Sequence, residues 1–185
     1  NAREVLESAP TITTYVSGRQ VIWAMDFLPD GRMIFTERGG DVNVVESDGQ
    51  VEEVLNVDVH ATRESGLHGI AVDPDYEENR FVYLYYTYRA DGASTLNRVS
   101  RYVLKDGVLT GERIIVDDIP GASTHDGGRL KFGPDSFLYI TTGDAQEPSL
   151  SQDRASLAGK ILRVTRDGEP APGNPFGTRI YSYGH

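Results

Sequence analysis

Apolar residues along this chain alternate with polar ones or gather in runs of a few residues, and Gly, Pro, Asp and Asn punctuate the runs. Such a pattern predicts short strands joined by tight turns. Three separated segments restart with the same phrase: AMDFLPDGRMIFTER at 24–38, GIAVDPDYEENRFVYLYYTYR at 69–89 and RLKFGPDSFLYITTGD at 129–144. Each is an apolar strand, a Pro-Asp turn and a second strand. The likeness continues downstream, where 42–49, 99–107 and 161–168 each read as a strand closed by Asp-Gly. The unit is therefore about four strands long, with repeats near 24–57, 66–118 and 127–185. Helix signal is sparse, and only 151–157 invites a short helical turn.

The turn proline recurs at Pro29, Pro74 and Pro134, in steps of 45 and 60 residues. These steps are within reach of the roughly 40 to 50 residues of a propeller blade plus an insertion. Small four-stranded sheets set radially bury both faces against their neighbours and leave only short edges open. The predicted fold is all-β, a six-bladed β-propeller with about three blades in this chain, because rings need four to eight blades. The loops at 58–66 and 120–128 each lead into a strand that opens a sheet, so they gather at one end of the axis, where propellers build sites.

Composition narrows the function. A chain of 185 residues is one domain by default. The formal charge of −10 argues against a nucleic-acid or anionic-membrane surface, since both demand basic patches. With no cysteine, disulfides and thiolate chemistry are out. No apolar run approaches the roughly 20 residues of a membrane span. No signal peptide is recognised, and the start at Asn1 fits a processed or trimmed chain.

His125 lies in GASTHDGGRL, where small residues let the backbone approach a ligand. An imidazole there suits a general base, and a plain loop histidine is the ordinary alternative. Asp144, in ITTGDA, ends the matching strand of the same repeat and either holds the imidazole tautomer or caps a turn. Glu64, in RESGLHGIA, enters the second repeat as His125 enters the third, so the two share a pocket unless Glu64 is simply solvated. His60, His68 and His185 match no tight metal-ligand spacing, no metal ligand is assigned, and His68, inside GLHGIAV, reads as structural. Asp30, Asp75 and Asp135 recur with the turn and serve the blade. There is no phosphate-cradling glycine motif followed by a helix and no G-x-S-x-G elbow.

Read in order, GLHGIAVDPDYEENRFVYLYYTY, NRVSRYVL, HDGGRLKFGPDSFLYITTGDA, SLAGKILRVTRDGEPAPGNPF and the terminal IYSYGH closely resemble the soluble glucose/sorbosone dehydrogenases, also called aldose sugar dehydrogenases. The resemblance covers about 21–185. It implies a six-bladed propeller that binds pyrroloquinoline quinone with calcium over the axis and oxidises the anomeric carbon of an aldose to a lactone. It further implies that His125 is the general base, that Asp144 supports it and that Glu64 lies by the cofactor. An external electron acceptor and a periplasmic or extracellular location follow from the same likeness. In the family the terminal Tyr-Gly-His continues into residues that contact the quinone, so most of the cofactor's cationic partners are expected outside this chain.

The rival reading is a non-catalytic propeller that binds carbohydrate or protein. Three blades also leave two outer faces uncovered, so apolar residues of 21–27 and 161–164 are expected to face water or a neighbour. That predicts self-association or pairing with a further half.

Overall fold

Four consecutive strands form each of three antiparallel sheets in the computed structural model, which describes residues 10–91 and 94–185. The first sheet runs β1 (Ile22–Phe27), β2 (Met33–Glu37), β3 (Asp41–Val45) and β4 (Val51–Asn56). The second holds β5 (Leu67–Val72), β6 (Phe81–Ala90), β7 (Ser94–Lys105) and β8 (Val108–Pro120). The third holds β9 (Gly127–Phe132), β10 (Leu138–Thr142), β11 (Lys160–Val164) and β12 (Ile180–Tyr183). The opening strand β5 runs beside both β1 and β9. The chain is thus all-β, with three blades of a propeller side by side.

Local chemistry explains the turns. Lys105 pairs with Val108 across Asp106 and Gly107, whose φ values of 51° and 77° give the tight hairpin that Asp-Gly permits. Asp30 and Asp135 serve their own blades, as expected, whereas Asp75 ties the second blade to the third. Asp30 accepts the Arg32 backbone N–H and guanidinium, Asp75 takes Arg166, and Asp135 accepts Tyr139 Oη–H and the Arg163 guanidinium. The second turn is longer and contains the single-turn helix α1 (Tyr76–Asn79), closed by Arg80 at a φ of 59°. The other helix, α2 (Ser149–Gln152), starts right after Pro148, two residues ahead of the stretch expected at 151–157, and overlaps it at Ser151 and Gln152.

Alternation places the core between sheets. Along β6, Val82, Leu84 and Tyr86 face the first sheet, against Ile34, Val42 and Val44, whereas Tyr83 and Tyr85 face the third, against Leu130, Ile140 and Leu162. Each fully buried aliphatic side chain contributes roughly 1.5–3 kcal/mol, against about 1 kcal/mol or less for a part-exposed ion pair, so apolar burial holds the seams. Arg166 has a different task on the second seam. It satisfies the fully buried Asp73 carboxylate, which also accepts Tyr83 Oη–H.

The outer faces differ from the expectation. In the first sheet Val21, Ile22, Met25 and Phe27 are exposed, as expected, while Ala24 is buried. Val16 of the preceding segment packs on Met33, Phe35 and Val45 and covers part of that face. At 161–164 the expectation fails, because Leu162 and Val164 are fully buried in the second seam and only Ile161 is half-buried on the outside. The alternate residues of β11 point at the second sheet, and the outer face of the third carries Arg163 against Tyr139 and Tyr181.

Candidate active site

His125 sits in the loop between β8 and β9, Glu64 in the loop before β5, and Asp144 just past β10. Since β9 and β10 are antiparallel, all three belong to the same end of the blades, opposite the Pro-Asp turns. His125 Nδ1 lies 2.8 Å from Asp144 Oδ1. A carboxylate only accepts there, so Nδ1 carries the hydrogen and the Nε2 lone pair is free to take a proton. The imidazole is 59 % exposed, and Nε2 has no hydrogen-bond partner among the described residues. Asp144 Oδ1 also accepts the Gln146 N–H at 3.0 Å, which fixes that oxygen as an acceptor.

The backbone of His125 is held as firmly as its ring. Its φ of 63° is left-handed, a conformation a side chain with a Cβ adopts at a cost. Three contacts hold it: the Glu64 Oε2 carboxylate oxygen accepts the His125 N–H at 3.1 Å, the His125 carbonyl accepts Ala145 N–H at 3.1 Å, and Glu64 N–H bonds the Ser123 carbonyl at 3.0 Å. Gly143 is required here, because a Cβ on it would lie 1.8 Å from the His125 carbonyl oxygen. The two loops expected to share a pocket therefore meet, with Glu64 on the amide of His125 and Asp144 on its ring.

Beneath them lie residues that, apart from His68, the sequence did not single out. Asp126 is buried, with Oδ1 accepting Asn97 Nδ2–H and Ala122 N–H at 3.0 Å each and Oδ2 without a partner among the described residues. Burial pushes its carboxyl above the usual range. The Asp126 carbonyl accepts Tyr85 Oη–H at 2.8 Å. Tyr85 stacks on His68, His68 stacks on Trp23 at 4.9 Å, and the exposed Arg129 guanidinium lies 4.4 Å over the Trp23 ring. On the far side, Gly159 N–H bonds the Gly143 carbonyl and the His185 N–H bonds the Gly159 carbonyl, so the terminal Tyr-Gly-His is stitched to the Asp144 loop. Lys160, fully buried, donates its ammonium to the carbonyls of Leu150, Ser151 and Ala158 behind that loop. Adjacency in HDGG was the one sequence signal for Asp126; the others come from different sheets.

The rings of His60 and His185 each contact a hydroxyl close by in the chain. His60 Nε2 contacts Thr62 Oγ1, and His185 Nε2 contacts Ser182 Oγ. No three His, Cys, Asp or Glu among the described residues group as a metal site. His68 is 1 % exposed, and burial lowers its pKa from the ordinary 6.5 to about 4. The unfolded chain therefore binds more protons between those values, and stability falls as pH drops through that window. From pH 7 to pH 5 the loss is expected to be about 2 kcal/mol larger than in a His68→Leu variant, read by urea denaturation at the two pH values. Equal losses in both proteins would contradict a buried neutral His68.

The family model of Glucose / Sorbosone dehydrogenase matches residues 19–185. The aldose sugar dehydrogenase YliI of Escherichia coli is 33% identical over 175 residues, covering 88% of this chain and 47% of that protein. The PQQ-bound form of the aldose sugar dehydrogenase from Streptomyces coelicolor superposes with a TM-score of 0.88 at 39% identity, over 95% of this chain and 54% of that one. Human Hedgehog-interacting protein is 28% identical over 158 residues, 74% of this chain and 23% of that protein. The chain thus spans about half the length of its sugar dehydrogenase relatives. With its three four-stranded blades and a match from residue 19 to residue 185, it belongs to the glucose/sorbosone dehydrogenase family.

Proposed function

We propose that the whole protein oxidises the anomeric carbon of an aldose to a lactone, using pyrroloquinoline quinone, and that this chain supplies the base. The observation that carries the reading is the exposed His125 imidazole, oriented through Nδ1 by Asp144 with Nε2 open to substrate. His125 Nε2 takes the proton of the C1 hydroxyl while the C1–O bond becomes a carbonyl. Asp144 holds the neutral ring in the tautomer with its hydrogen on Nδ1 before the step and stabilises the imidazolium after it. Glu64 holds the His125 amide beside the cofactor. When bound, the quinone supplies the acceptor for the hydride that C1 loses.

The residues present fit part of that cofactor. Arg129, whose guanidinium lies over the Trp23 ring close to the His125 loop, suits a carboxylated aromatic ring. Around it, Glu64, Asp126 and Asp144 make the site acidic, so a tricarboxylate needs further cations from the rest of the ring. Calcium belongs to the same proposal, with no ligands assigned in this chain. The protein would work in the periplasm or outside the cell and pass electrons to an external acceptor. No helix among the described residues is long and apolar enough to cross a membrane.

The test is aldose-driven dye reduction by the intact protein with added pyrroloquinoline quinone and calcium, with the lactone identified as product. Absence of dye reduction after reconstitution would favour a binding module, the reading that similarity to Hedgehog-interacting protein keeps in view. The exposed face of Val21, Ile22, Met25 and Phe27 belongs, on this proposal, against another sheet, from the same ring or a second copy. Residues 1–185 alone should therefore associate in sedimentation, and a monomer at all concentrations would count against that seam.

A further inference from the structure

His68 has no part in the chemistry above, yet it is buried where the second sheet meets the first. Its imidazole is stacked between Trp23 of β1 and Tyr85 of β6, with interplanar angles of 21° and 12°. Nδ1 is buried without a partner among the described residues, a cost that a leucine filling the same space would avoid. What the histidine adds is one hydrogen bond. Nε2 lies 2.9 Å from the Glu64 carbonyl, which can only accept, so Nε2 carries the hydrogen.

The same Glu64 sends its carboxylate to the His125 amide. The pairing of β5 with β6 shifts register between Leu67 and Ile70, so His68 lies on an irregularity that turns its side chain out of the regular ladder. Its ring also abuts the glycines after His125: a Cβ on Gly128 would lie 2.7 Å from His68 Nδ1. We propose that His68 is a positioning residue for His125, holding the Glu64 carbonyl so that the Glu64 carboxylate stays on the His125 N–H. The proposal rests on the reading of His125 as the base. Nε2 keeps its hydrogen whether the ring is neutral or protonated, so the link to the Glu64 carbonyl does not depend on pH near neutrality.

Two variants of the intact protein test it. His68→Leu keeps bulk and removes the donor, and His68→Gln keeps a side-chain N–H. In His68→Leu, kcat should fall roughly tenfold with KM little changed, since the misplacement acts on the base rather than on sugar binding. In the same variant without cofactor, the His125 amide should exchange its hydrogen about tenfold faster. His68→Gln should recover much of both. Wild-type kcat and wild-type His125 exchange in His68→Leu would overturn the proposal, as would a lost rate with His125 exchange unchanged. The exchange measurement needs no turnover. If His125→Ala kept full activity, the catalytic reading would fall, and exchange would still decide whether His68 holds the Glu64 link.

Discussion

Aldose turnover by the intact, cofactor-loaded protein is expected to drop about 10²- to 10⁴-fold in His125→Ala, the range a positioned base supplies. The fold should survive. The ring is 59 % exposed and, among the described residues, its one polar contact is Asp144, so the substitution opens no cavity. Thermal midpoints should agree within a few degrees. KM for the sugar should change much less than kcat, because proton removal is a transition-state contribution. Dye reduction at wild-type rate in the variant would end the assignment of His125 as base, whatever the rest of the site looks like.

Asp144 separates two contributions that are usually lost together. In Asp144→Asn the amide oxygen can stay where Oδ1 is, because the Gln146 N–H donates to that position. It then still accepts from His125 Nδ1, so the tautomer is kept and only the charge is lost. A hydrogen bond to a charged group contributes roughly 1.5–3 kcal/mol, which makes the expected loss about 10- to 100-fold in kcat. Asp144→Ala removes the acceptor as well, frees the tautomer, and should cost about tenfold more. Steady-state rates of the two variants side by side give the order. Alanine as active as asparagine would mean that Asp144 acts by charge alone, and an unaffected asparagine variant would mean that the charge is idle.

Much of the fold was legible because its determinants are local. A period of two in the apolar residues, with Pro-Asp and Asp-Gly at fixed places, is enough to write the strands and their repeat. The face of a strand that gets covered is not local. The run at 161–164 looked exposed because it lies in the last repeat, yet Leu162 and Val164 face inward against the second sheet. Helix α1 escaped notice because it is folded into a lengthened Pro-Asp turn. In the site, the equivalence of the repeats was enough to bring Glu64 beside His125, and the structure joins them at the amide. Asn97 and Tyr85 of the second sheet and Trp23 of the first gather there only when strands pair and sheets stack, so no spacing along the chain could have announced them, and Asp126 was signalled only by its place beside His125.

Strand β6 has interior on both sides, with Val82, Leu84 and Tyr86 turned one way and Tyr83 and Tyr85 the other. A strand with one wet face can drift in sequence at every other position, whereas this stretch has no position that answers to solvent alone. Tyr83 must reach Asp73, Tyr85 the Asp126 carbonyl and Tyr86 the Glu112 carboxylate, so even phenylalanine in their place would strand an acceptor or lose a tether. Variation among functional versions of this protein should therefore be scarcest along 82–86, in the middle of a blade and not at the end that carries His125.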